Sequence, residues 1–191
     1  MSIATTTART RRGRKLGVIA ACVWLWSIGT MARAETIEFY AHGSGLGPGG
    51  FLYFPHAFVL LRDDNGQPRG TYGFTAISQS PGVLVRRSKG AVHPTDDTYV
   101  QKSQLFLTLS LSAEQVGKVL ALTDYWNSPD GSLYDLQNRN CVTFVADLAR
   151  TVGLVVPERY DPLKPTAFMQ LLVALNGQGA SGPMIGTGST P

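Results

Sequence analysis

Cys141 stands at the junction of a polar, asparagine-rich loop and an amphipathic helix, in the stretch YDLQNRNCVTFVADLARTVG from Tyr134 to Gly153. Cys141, Val145, Leu148 and Val152 recur at helical spacing, and Gly153 stands where a helix C-cap glycine belongs. A thiol at the first helical position meets unsatisfied N–H groups and the positive end of the helix dipole. Both favour the thiolate, which is the reactive form. A lone cysteine at a helix start is more often a small core residue, since free cysteine is among the most buried residue types. Here the rest of the chain tips the balance towards chemistry.

The first argument comes from the leader. Arg9, Arg11, Arg12, Arg14 and Lys15 precede an apolar run, Leu16 to Met31, and Ala32-Arg33-Ala34 supplies the small residues of a cleavage site. This is the pattern of a signal peptide, with cleavage after Ala34 and export to a periplasmic or extracellular location. An uncleaved anchor is the alternative, because the run is only slightly short for a span. Cys22 lies in that leader, so Cys141 is the only thiol of the mature chain. An unpaired cysteine in an exported protein is open to oxidation, and a reactive nucleophile is the readiest reason to keep one.

The leader also carries the basic excess. Six of the seventeen Lys and Arg residues and none of the thirteen acidic ones lie in residues 1–34, so eleven basic residues remain against thirteen acidic, a net charge of −2. The sequence pI of about 9.2 therefore belongs to the leader, and no basic stripe with interleaved aromatics remains to bind nucleic acid.

A nucleophilic thiol needs a base within hydrogen-bond reach. The mature chain offers His42, His56 and His93. His56 opens a strand, HAFVLLR to Arg62, that pairs with a return strand, Gly70 to Ser78, across DDNGQP. Asn65-Gly66 is the natural two-residue turn. Counting outward pairs Leu60 with Thr71 and His56 with Thr75, placing His56 near a sheet end. His93, just before Pro94, reads as a loop histidine. The four residues His42, His56, His93 and Cys141 have spacings that match no zinc pattern, and no cofactor is implied.

The supporting elements follow from periodicity. Thr36 to His42 alternates as a strand with Ile37, Phe39 and Ala41 on one face, and Gln104 to Leu111 is another with Leu105, Leu107, Leu109 and Leu111 aligned. GSGLGPGG at 43–50 lacks the Lys-Ser/Thr ending of a phosphate loop and reads as a flexible loop beside a cleft. Residues 79–97 read as loop, with Arg86, Arg87 and Lys89 in a solvated turn. Ser112 to Gln115 is a capping box opening a helix to about Trp126, with Val116, Val119, Leu120 and Thr123 inward. Thr166 to Leu175 forms a last short helix whose Met169 and leucines are core. The expected class is α+β, with a leader at 1–34, one domain at 35–175 and a flexible Gly/Ser-rich tail at 176–191.

HAFVLL, a Gly-Phe return strand, SAEQ opening a helix and Tyr-x-Leu-x(4)-Asn-Cys-x-x-Phe-Val at a helix start together resemble circularly permuted papain-like proteins. These are related to NlpC-type cell-wall peptidases and lecithin:retinol acyltransferase-like enzymes. The resemblance spans about residues 53–175, and its order, histidine before cysteine, is the permuted one. It implies a papain-like antiparallel sheet packed against helices, with Cys141 as nucleophile, His56 as base and then acid, and an acyl-thioester intermediate.

The family orients its histidine with a His, Glu or Asn on the following strand. This chain offers Thr75, with Thr71 as fallback and Tyr72 if the turn slips by one residue. The Cys141 N–H could help hold the oxyanion, and Asn140 or Tyr134 could add a side-chain donor, although Asn140 equally suits the helix N-cap. The substrate implied is a peptide or lipid acyl group at the cell wall or a membrane surface. A catalytically inactive binding module using the same cleft is the alternative.

Overall fold

The computed structural model describes residues 34–43, 45–46, 52–78 and 80–177. The leader up to Arg33, Ser44, residues 47–51 within the glycine-rich loop, Gln79 and the tail from 178 lie outside the described residues.

Six antiparallel strands form the main sheet: β1 (Glu35–His42), β4 (His56–Arg62), β5 (Pro68–Ala76), β6 (Ser88–His93), β7 (Gln104–Leu111) and β8 (Leu133–Tyr134). Their order across the sheet is β7-β1-β4-β5-β6-β8. A separate short pair, β2 (Gly45–Leu46) and β3 (Leu52–Tyr53), flanks the glycine-rich segment. The helices are α1 (Asp97–Gln101), α2 (Ala113–Asn127), α3 (Cys141–Thr151) and α4 (Pro165–Asn176). The architecture is α+β, as expected from the alternation of strand and helix signals.

Strand alternation sorts side chains onto two faces. Ile37, Phe39 and Ala41 of β1, Ala57, Val59 and Leu61 of β4 and Phe74 of β5 form the main core with α2, α3 and α4. The other face of β1 and β4 carries Tyr40, Phe58 and Leu60, covered by Tyr99 and Val100 of α1. Because both faces of β4 are covered, HAFVLLR is apolar at nearly every position between its ends.

The hairpin register is as expected, with Leu60 opposite Thr71, but the loop is built differently. The Asp63 carbonyl accepts from Gly66 N–H at 2.9 Å, and Asp63 Oδ1 accepts from the amides of Asn65 and Gln67 at 2.9 and 2.8 Å. Gly66 takes φ 79°, a left-handed conformation that glycine adopts without strain. A one-residue step between Leu61 and Arg62 then restores the register that a two-residue turn would have given.

Three local readings are corrected. Residues 79–97 are not all loop: a 3-10 turn spans Pro81–Leu84, and β6 follows it in pairing with β5 and, through Ser88 and Lys89, with β8. His93 accordingly ends a strand opposite Gly73. Leu105 is exposed, because the pairing of β7 with β1 shifts by one residue at Phe39/Tyr40 and carries it out of line with Leu107. In α4 only Phe168, Met169 and Leu172 are core among its apolar residues after Pro165, while Leu171 and Leu175 face outward.

The helix ends match their signals. Ser112 Oγ accepts from Gln115 N–H, and Gln115 Oε1 accepts in return from Ser112 N–H, closing the capping box of α2. Gly153, at φ 89°, follows α3. Among the described residues no helix is long and apolar enough to cross a membrane.

Candidate active site

Cys141 is the first residue of α3, and its position is fixed from the loop side. Asn140 is the N-cap, accepting through Oδ1 from Val142 N–H at 2.9 Å and Thr143 N–H at 3.2 Å, while its own N–H donates to Thr143 Oγ1 at 2.8 Å. Its Nδ2 donates to the carbonyls of Leu136 at 2.7 Å and Pro162 at 3.0 Å. Both amide hydrogens of this buried side chain are thereby engaged. Asn140 is the cap and not a free oxyanion donor, which corrects that expectation.

The preceding loop is braced as well. Asp135 Oδ1 accepts from the amides of Gln137 and Asn138, and Arg139 donates to the Gly131 carbonyl with its guanidinium 3.6 Å over the Trp126 ring.

Cys141 is 7% exposed and belongs to the main core. The amide N–H groups of Ala57, Val142 and Cys141 itself lie against the sulfur and favour its charged form. Burial outweighs them and pushes the thiol up to about 11. The expectation that the helix start lowers the thiol is therefore corrected: desolvation exceeds the stabilisation offered by the helix N-terminus. Tyr134 lies beside it, half-buried against Phe74, and burial followed by the neighbouring thiol's charge raises its phenol to about 12.

His56 adjoins the sulfur through the backbone, since the Ala57 amide is the next peptide group along β4. Its ring, however, turns to the α1 face. It packs with Phe58 at 6.1 Å and Tyr99 at 6.4 Å between centroids, and Nε2 lies over the position of Gly73. His42 is its cross-strand partner on β1, and its own ring lies 4.7 Å from that of Tyr99. Burial, then the charge of His42, lowers His56 to about 4. At rest the sulfur and the imidazole are both uncharged and on opposite faces of β4.

The candidate orienting residues separate in the same way. Continuing the hairpin register sets Thr75 opposite His56. Thr71 instead donates to the Thr95 carbonyl at 3.1 Å and accepts from the Thr95 N–H at 2.6 Å, fixing the loop before α1. Tyr72 pairs with Val59 and packs on the main core, away from the imidazole. Thr71 and Tyr72 are thus corrected as partners of His56. His42, Tyr99 and Gly73 were not given roles by the sequence, because only the pairing of β1 with β4 and the docking of α1 bring them to His56.

No protein-family model and no curated protein sequence matches the chain. Among solved structures it is similar to the type VI secretion system effector TseH, at 20% identity and a TM-score of 0.48, over 76% of this chain and 90% of that one.

Proposed function

We propose that the chain is a thiol-dependent acyl hydrolase in which Cys141 is the nucleophile and His56 the base, acting outside the cytoplasm on a peptide or lipid acyl group. One observation supports it above the rest: the sulfur at the start of α3 is seated against the amide of Ala57, one peptide unit from His56. The six-stranded antiparallel sheet with helices packed on it is compatible with a papain-like fold.

The reaction requires the imidazole to leave its seat over Gly73 and turn to the sulfur side. His56 is the first residue of β4, preceded by the irregular Phe54-Pro55, so strand pairing constrains it on one side only. The imidazole then takes the thiol proton as sulfur adds to the acyl carbon. That proton passes to the leaving amine or alcohol, giving a thioester, and water attacks it with His56 again as base to release the acid and restore the thiol. Thr75, opposite His56 on the α1 side, can orient the imidazole only before it turns, and Tyr134, beside the thiol, is the side-chain hydroxyl of the sulfur side in this reading.

A binding module is the second reading, favoured by the buried thiol and the averted imidazole. Reaction of the full chain with a p-nitrophenyl acyl ester at neutral pH, followed by intact mass, decides between them. The hydrolase reading expects one acyl adduct, absent in Cys141→Ala and formed roughly a hundredfold more slowly in His56→Ala. No adduct, or equal rates with and without His56, gives the binding module.

A further inference from the structure

The end of the sheet at β6 and β8 exposes aliphatic side chains among cations. Val85 is 82% exposed, Ile77 51%, Leu133 44% and Leu84 43%. Lys89 pairs with Leu133, and the Ile77 N–H donates to the Lys89 carbonyl at 2.9 Å, so these three form one row across the sheet. Gly90 and Tyr134, next along their strands, turn inward towards Phe74, which leaves the row on the outer face. Leu84 and Val85 close the adjoining 3-10 turn, followed at once by the exposed Arg86 and Arg87. Arg87 pairs with Asp135 at 3.1 Å, whereas among the described residues neither Arg86 nor Lys89 forms an ion pair.

We infer that this end of the domain docks on an anionic lipid bilayer. Isolated exposed aliphatics are ordinary, but four on one end beside unpaired cations suit the boundary between acyl chains and phosphate headgroups. The aliphatics gain by leaving water, and the cations by meeting negative surface potential. The patch has no aromatic ring on which a nucleobase would stack. Asp135 offsets Arg87, and the exposed Asp130 lies in the loop before Leu133, so Arg86 and Lys89 leave this end slightly cationic on a domain of net negative charge. The inference is independent of any reaction at Cys141.

Hydrogen–deuterium exchange of the full chain, with phosphatidylcholine vesicles containing or lacking phosphatidylglycerol, tests it. Reading residues 82–89 separates this surface from any contribution of the basic leader. Their amides slow with phosphatidylglycerol and not without it. Leu84→Ser with Val85→Ser abolishes the slowing, and Arg86→Glu with Lys89→Glu weakens vesicle partitioning about tenfold or more. Unchanged exchange on anionic vesicles overturns the inference. So does slowing that follows protein concentration without lipid, which assigns the surface to a second copy of the chain.

Discussion

A β-carbon added to Gly73 would lie 2.5 Å from Nε2 of His56 and 3.1 Å from Cβ of Phe58. The bare backbone of β5 is what lets the imidazole rest where it does. Gly73→Ala forces the ring off this seat and crowds Phe58, at a cost of about 1–3 kcal/mol. Urea unfolding reads the loss as a lower midpoint with an unchanged slope.

The His56 shift has a definite sign. Folding holds this imidazole at about 4, below its ordinary 6.5, so the folded state resists protonation. The stability this contributes is present above about 6.5 and is lost as pH falls towards 4, amounting to roughly 3 kcal/mol. Denaturant midpoints of the wild type and of His56→Gln measured across that range should differ by a pH-dependent gap, and parallel curves would refute the assignment.

For Cys141 the window lies at the alkaline end. A thiol raised from 9.0 to about 11 favours the folded state while it keeps its proton, so stability is intact below 9 and falls as pH climbs to 11. Tyr134, raised from 10.0 to about 12, adds to the loss at the upper end. Alkylation by iodoacetamide should accordingly be at least tenfold slower at pH 7 than for a free thiol and keep rising beyond pH 9. A plateau near neutrality would mean that the thiolate forms readily in the folded protein.

Asn140 carries the cap and two loop carbonyls together. Asn140→Ala removes both and should cost about 2–4 kcal/mol. Asn140→Asp retains an acceptor for Val142 and Thr143 but cannot donate to Leu136 and Pro162, so it should rescue only part of the loss in a thermal melt.

The elements that local pattern specifies were legible: the capping box at Ser112, the apolar stripe from Cys141 to Val152, the alternation of β1 and the register of the β4–β5 hairpin, though not its two-residue turn. What escaped depends on partners distant in sequence. Ser88 to His93 carries a lysine, a histidine and a glycine and is a strand because β5 and β8 flank it. The position of the thiol at a helix start was readable, but its degree of burial was not, since that depends on α3 lying flat on β4 and β5. The face chosen by His56 depends on the seat at Gly73, and the glycine alone gave no sign that a ring fills it.

The five-residue connection from Asp63 to Gln67, with its left-handed glycine and single bulge, lies at the opposite end of the hairpin from Cys141. One residue added or removed there would be taken up in the exposed loop, because β4 is buried on both faces and a slip of one position would carry every one of its side chains to the wrong side. The two apolar faces of the strand, and not the length of this remote corner, therefore hold the imidazole and the sulfur in their separate compartments.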